Sequence, residues 1–304
     1  MVYHALRLAA CGEPRLWPVT CLGQAAKVCV CQCGSVAVWQ PDSKGGIDVS
    51  ATGVVSLVGA GPGSPDLITV RGLKRLREAD VGVYDALIHP ELLAEIRPDA
   101  ERVYAGKRGY CVGSTLQETI CDVLANRAEQ GLRVVRLKGG DPCVFGRGGE
   151  EAEYLAERGI PFEIVPGVTT AVGACASALI PLTHRDAGQS IALVTGHFDP
   201  DSADCTLDWH GLARMSNLVV YMGLRHVAKI AAKLVAAGMS PDTPAAVVEN
   251  ATLPTQRVID SRLSLLAFAA RDAGVKAPAV IVIGEAVAFR SKLLSLVTSH
   301  GVTA

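Results

Sequence analysis

Beyond residue 53 the chain alternates short aliphatic, β-branched runs with stretches whose apolar positions recur every three or four residues. Residues 54–58 read as a buried strand that ends in Gly59-Ala60-Gly61-Pro62-Gly63. Asp66 is placed to cap a following helix, which carries Leu67, Val70, Leu73 and Leu76 at helical spacing. Further strands are predicted at 81–84, 102–105, 132–137 and 162–165. Ser114 and Gln117 make a capping-box pattern for a helix running towards Gln130, and another helix is predicted over 149–158. After Pro181-Leu182-Thr183-His184-Arg185-Asp186, strand-like runs return at 191–194, 218–222, 245–248 and 279–283, with helical stretches between most of them. Strand-helix alternation on this scale predicts crossover connections and mainly parallel sheets. The expected architecture is two α/β domains in series, 53–182 and 183–296, each with a mainly parallel sheet. Residues 1–52 lack a period and run through the turn-rich Pro41-Asp42-Ser43-Lys44-Gly45-Gly46, so they are set apart as an N-terminal extension with a composition open to disorder.

Composition narrows this picture. Of 304 residues, 49% are hydrophobic and only 5% aromatic, which fits layered α/β packing better than an all-β sandwich. A formal net charge of -1 excludes a globally basic nucleic-acid binder, so any anionic ligand must meet locally placed Arg and Lys. The least polar long window, 19–39, still holds Gln24, Lys27, Gln32 and Ser35, too much polarity for a lone membrane span. Leu8-Ala9-Ala10-Cys11 superficially resembles a lipoprotein cleavage box, but Arg7 directly precedes it and leaves no apolar region for a signal peptide. The expected compartment is therefore the cytoplasm, and the ten cysteines read as free thiols. Cys29, Cys31 and Cys33 alternate, which on a strand points them to opposite faces, unlike the paired spacing of a zinc site; no metal is predicted.

The first glycine loop raises the commoner dinucleotide reading, yet the fingerprint's third glycine falls at Ser64, with Gly63 one residue early and Pro62 intruding. Asp80 and Asp85 can still pass for a ribose-binding acid, which leaves an NAD-dependent dehydrogenase as a distant alternative. The second loop is more distinctive. Lys138-Gly139-Gly140-Asp141-Pro142 continues to Phe145-Gly146-Arg147-Gly148-Gly149-Glu150-Glu151, and its paired glycines let backbone approach a ligand closely.

Together with Tyr84-Asp85, Gly106-Lys107-Arg108, Pro166-Gly167-Val168-Thr169-Thr170, Thr195-Gly196-His197 and Tyr221-Met222-Gly223, these runs resemble the tetrapyrrole methylases. The resemblance covers roughly residues 53–290. Gly106-Lys107-Arg108, the Arg-Gly-Gly-Glu-Glu run at 147–151 and Leu182-Thr183-His184-Arg185-Asp186 bring it nearest the uroporphyrinogen-III C-methyltransferases. It implies S-adenosylmethionine in a cleft between the two domains, contacted at Pro62, Gly139, Gly140, Asp141, Val144, Thr169, Thr170, Met222 and Ala251. Cys143 replaces the usual Phe after Asp-Pro, and Ala251 stands where many relatives carry Gly. The implied reaction is methylation of carbons 2 and 7 of uroporphyrinogen III to give precorrin-2, at the branch towards sirohaem and cobalamin. Pattern alone favours a turn aspartate at Asp85 and a surface cation at Lys107; the resemblance reverses that, matching Asp85 to the family's proton acceptor and Lys107 to its donor. Arg108, Arg147 and Arg185 are the candidates for the substrate carboxylates, each with an ordinary surface ion pair as its alternative. His184 and His197 read as hydrogen-bonded loop residues. The resemblance also implies a homodimer, and a methylase of a later corrinoid precursor is the alternative within the family. An extension of 52 residues is too short for a further catalytic module, so the chain is expected to stop at precorrin-2.

Overall fold

The computed structural model describes residues 52–106 and 115–299. The cysteine-rich stretch before residue 52, Lys107, Arg108 and the expected cap Ser114 lie outside them.

Strands β1 (Val54–Gly59), β2 (Val81–Tyr84), β3 (Glu101–Tyr104), β4 (Arg133–Lys138) and β5 (Phe162–Val165) form a sheet in the order β3-β2-β4-β1-β5, parallel at every pairing. Helices α1 (Val70–Glu78) and α2 (Pro90–Ala94) cover one face; α3 (Thr115–Glu129) and α4 (Gly148–Glu157) cover the other. Side chains alternate along a strand, so β1 feeds both cores: Val55 and Leu57 join the α3/α4 side and Val58 the α1/α2 side. That two-sided burial explains why its sequence is apolar on both faces except at Ser56, whose buried hydroxyl donates to Glu163 at 2.8 Å. Helix α1 is capped by Thr69, whose hydroxyl accepts the Gly72 N–H at 3.1 Å, and not by Asp66. Asp66 belongs to a separate 3-10 turn, Pro65–Leu67, which Pro65 initiates with its preset φ.

The second sheet contains β6 (Ile191–Thr195), β7 (Asn217–Tyr221), β8 (Pro244–Glu249), β9 (Arg257–Arg262) and β10 (Ala279–Gly284), in the order β6-β7-β10-β8-β9. Helices α5 (Thr170–Ser177), α6 (Trp209–Ala213), α7 (Val227–Ala236), α8 (Leu266–Asp272) and α9 (Ala286–Ser299) flank it. Here the expectation of a mainly parallel sheet fails. Only β6 and β7 pair in parallel; β10 runs antiparallel to both neighbours, and β9 antiparallel to β8. The crossovers predicted from the alternation exist, because β7 and β8 run the same way around α7, and β9 and β10 the same way around α8. A short turn between β8 and β9 reverses the chain, the two crossover units interleave, and hydrogen-bonded neighbours therefore come from opposite units. Strand β9 itself is not predicted, since Arg257, Asp260 and Arg262 break its apolar run.

One helix changes partners. Although α5 directly follows β5, its Ala171, Ala174 and Cys175 pack into one core with Val219, Val248 and Val280 of the second sheet. The second packing unit thus takes in residues from about 170, ahead of the expected division at 182/183.

Candidate active site

Strands β1 and β4 are neighbours, yet the chain leaves their carboxyl ends in opposite directions. From β1 it passes through α1 on one face to β2; from β4 it passes through α4 on the other face to β5. A parallel sheet opens a ligand crevice at such a switch point. Both glycine loops lie there. Gly61 donates to the Gly140 carbonyl at 3.2 Å, and Gly140 donates back to Gly61 at 2.7 Å. Gly140 has φ 69°, a left-handed conformation that a Cβ would disfavour. A Cβ on Gly167 would overlap the Gly140 carbonyl, so the Pro166-Gly167 segment closes on the second loop backbone to backbone. Asp141 ties this junction, with one carboxylate oxygen accepting the Gly167 N–H at 3.0 Å and the other the Cys143 N–H at 2.8 Å.

The remaining expected contact positions border the same place. Thr170 stands beside Gly140, and the Val144 N–H reaches the Asp141 carbonyl at 3.3 Å. The Tyr221 hydroxyl lies 2.6 Å from Thr169 Oγ1 and accepts the Ala171 N–H at 2.9 Å, while its ring packs 4.9 Å from that of Phe145. Burial pushes the Tyr221 hydroxyl pKa up. Met222 follows with φ 54° and is half exposed. On the far side, Ser64 N–H donates to Thr252 Oγ1 at 2.9 Å, and Pro62 packs on Gly173 of α5. The left-handed residues of that turn are Asn250 and Thr252, at φ 49° and 66°; Ala251 between them has no positive φ, so its Cβ meets no backbone penalty. Cys143 is exposed, and its thiol is raised by burial of the sulfur and then by Asp141.

Asp85 sits just past β2. Its Oδ1 accepts the Leu87 N–H at 3.0 Å, and the Leu87 side chain leans over Gly139, which places the Asp85 turn at the rim of the crevice. Arg147 precedes α4 with φ 60° and forms a two-bond pair with Glu150, at 2.9 and 2.6 Å. Phe145 and Arg147 are both left-handed without being glycine, at a strain of about 1–2 kcal/mol each, a pattern that gathers at functional loops. Arg185 is exposed in the turn that the His184–Gly188 bridge closes. His184 Nδ1 accepts the Asp186 N–H at 3.1 Å and its ring packs 4.1 Å from Phe289; His197 lies in a loop against Phe198. Among the described residues, no three His, Cys, Asp or Glu side chains gather into a metal-holding group, and no helix is long and apolar enough to cross a membrane.

Sequence reasoning missed the charged groups beneath the crevice: Arg136, Lys138 and Glu151 are all buried. Lys138 Nζ lies 2.7 Å from Glu151 Oε1, and Arg136 Nε lies 3.3 Å from the same oxygen. Burial, followed by the neighbouring Arg136, pushes the Lys138 ammonium pKa down. The available signal was two cations spaced by two at the carboxyl end of β4, directly after the apolar Val134-Val135.

A family model for "Tetrapyrrole (Corrin/Porphyrin) Methylases" matches residues 54–267. The chain belongs to this family. Among curated tetrapyrrole methylases, it is 48% identical over 246 residues to a sirohaem synthase of Thiobacillus denitrificans, covering 80% of this chain and 50% of that protein. It is 52% identical over 242 residues to the sirohaem synthase of Neisseria meningitidis serogroup A, covering 79% of this chain and 49% of the other. The chain thus spans about half the length of these relatives. Among solved tetrapyrrole methylases, the uroporphyrin-III C-methyltransferase of Thermus thermophilus, complexed with S-adenosylhomocysteine, matches with TM-score 0.66 and 39% identity over 78% of this chain and 100% of that one. A cobalt precorrin-4 methyltransferase matches with TM-score 0.68 and 32% identity over 77% of this chain and 95% of the other.

Proposed function

We propose that the chain transfers methyl groups from S-adenosylmethionine to carbons 2 and 7 of uroporphyrinogen III, giving precorrin-2 for sirohaem and cobalamin biosynthesis. The observation that carries this is the meeting of five separate chain segments around the β1/β4 crevice, with Asp85 at its rim. Bare backbone at Gly139 and Gly140, bordered by Pro62, Asp141, Val144, Thr169, Thr170, Met222 and Ala251, suits an adenosine and a methionine that carry no phosphate. The bound sulfonium supplies an electrophilic methyl; a pyrrole carbon forms the new C–C bond as the S–CH3 bond breaks.

The protein's work is then positioning and proton management. Asp85 accepts the proton that the methylated macrocycle loses, and Lys107 serves as donor. Arg108, Arg147 and Arg185 meet substrate carboxylates. For Arg147 that means exchanging the exposed Glu150 pair, worth no more than about 1 kcal/mol, for a bidentate partner on the substrate. Family resemblance supports a cytoplasmic homodimer.

The test is an anaerobic incubation of purified protein with uroporphyrinogen III and S-adenosylmethionine, followed by product mass after oxidation. The expected gain is two methyl groups, with turnover falling by about 10²–10⁴-fold on Asp85→Ala while S-adenosylhomocysteine still binds. No methyl gain with intact S-adenosylhomocysteine binding would move the substrate to a later corrinoid, the reading favoured by the likeness to a cobalt precorrin-4 methyltransferase. Neither gain nor binding would sink the proposal.

A further inference from the structure

Removing an ion from water costs several kcal/mol, so a fold keeps buried charges only with close partners. Arg136, Lys138 and Glu151 are each at most 5% exposed. Glu151 Oε1 collects three donors: Lys138 Nζ at 2.7 Å, Gln117 Nε2 at 3.1 Å and Arg136 Nε at 3.3 Å. Its Oε2 is buried without a hydrogen-bond partner. A carboxylate packed for stability alone would spread its donors over both oxygens, since an orphaned acceptor is costly. Here they converge on the oxygen that faces Arg136.

The guanidinium is fixed from three sides. Besides Glu151 on α4, Arg136 Nη1 donates to the Leu137 carbonyl at 3.1 Å and the Val83 carbonyl at 3.5 Å. These bonds set the plane of the group and leave Nη2 facing Asp85 Oδ2 at 3.7 Å. The other Asp85 oxygen is held by the Leu87 N–H. A line of contacts thus runs from Glu151 in the core, through Arg136, to the carboxylate at the crevice rim. Arg suits this place because it keeps its charge and presents a rigid planar fork.

We propose that Arg136 is a positioning residue for Asp85, holding the carboxylate in one orientation at the crevice, and that Glu151 is the buried anchor that aligns Arg136. The proposal rests on Asp85 being the proton acceptor of methyl transfer. At 3.7 Å the Arg136–Asp85 contact is an ion pair longer than a hydrogen bond, and such contacts commonly tighten when the reacting complex forms.

The experiment is a double-mutant cycle on the uroporphyrinogen III methylation assay with Asp85→Asn, Arg136→Gln and the double variant, with S-adenosylhomocysteine affinity measured by calorimetry on each. Arg136→Gln is expected to lower kcat at least tenfold, with KM and S-adenosylhomocysteine affinity within about twofold. In the Asp85→Asn background the same change should make no further difference, and Arg136→Lys should recover part of the lost kcat. Losses that simply multiply, or a loss confined to KM, would overturn the proposal. Should Arg136→Gln fail to fold, the nearly isosteric Glu151→Gln replaces it in the same cycle: a kcat loss that vanishes in the Asp85→Asn background supports the proposal, and one that multiplies overturns it. Absence of wild-type turnover would instead remove the functional reading, and the assigned role of Asp85 with it.

Discussion

Under the first sheet Glu151 draws together both buried cations, Lys138 and Arg136, and Arg136, which also holds two backbone carbonyls, leads on towards Asp85. Beside the second sheet Asn217 and Glu249 are as deeply buried, but they serve mostly backbone. Asn217 donates to the Leu182 and Ala187 carbonyls at 3.3 and 3.1 Å and accepts the Ala286 N–H at 3.0 Å, so one amide pins the 182–187 turn and the start of α9. Glu249 takes the Lys276 N–H at 2.8 Å and pairs with Arg257 at the sheet's margin. Buried polarity that ends on backbone holds loops in place. Buried polarity that ends on other charges, next to a crevice, is where chemistry is the better explanation, since loops can be pinned without burying cations.

The contrast can be broken by stability measurements. The largest effect should come from Glu151→Ala, which strands two buried cations and is expected to cost about 3–5 kcal/mol in urea unfolding. Asn217→Ala should cost less, about 1–3 kcal/mol, because the carbonyls it releases lie near loops that water can reach. A reversal of that order would show that the charged cluster is not the more demanding of the two arrangements. A smaller effect sharpens the point at the opposite end of the first sheet. Asp80 accepts the Arg133 N–H and side chain at 2.9–3.0 Å, and that guanidinium holds its carboxyl down at about 2, below an ordinary 3.8. Its contribution is therefore whole above about pH 4 and drains away as pH falls towards 2. Asp80→Asn should remove about 1 kcal/mol at neutral pH and flatten the acid limb of a stability-against-pH curve, whereas an unchanged limb would mean the pairing does not matter.

Much of this architecture was legible in the residues. The first sheet's inner strands, β1, β2 and β4, follow from largely apolar runs that need burial on both faces, and the glycine loops announced themselves by residues that tolerate backbone contact. The direction of β10 was not legible, because it depends on a chain reversal between β8 and β9 that leaves no mark on the hydrophobic pattern of β10 itself. Strand β9 was hidden by its own charges: Arg257, Asp260 and Arg262 pair with Glu249, Arg290 and Asp242, partners visible only once the chain is folded. Arg136 and Lys138 were missed for a related reason. A cation inside an apolar strand reads as an edge position until the carboxylate of Glu151 is known to lie across from it.

The change of partners by α5 has a consequence in time. During synthesis the helix emerges together with the first sheet, but the strand it packs against most, β10, ends at Gly284 and follows roughly a hundred residues later. At about 5–20 residues per second, Ala171, Ala174 and Cys175 wait on the order of ten seconds on the ribosome without the surface that will cover them. Their small size keeps that exposed face modest, so a helix whose buried face is alanine, glycine and cysteine is well suited to being made early and docked late.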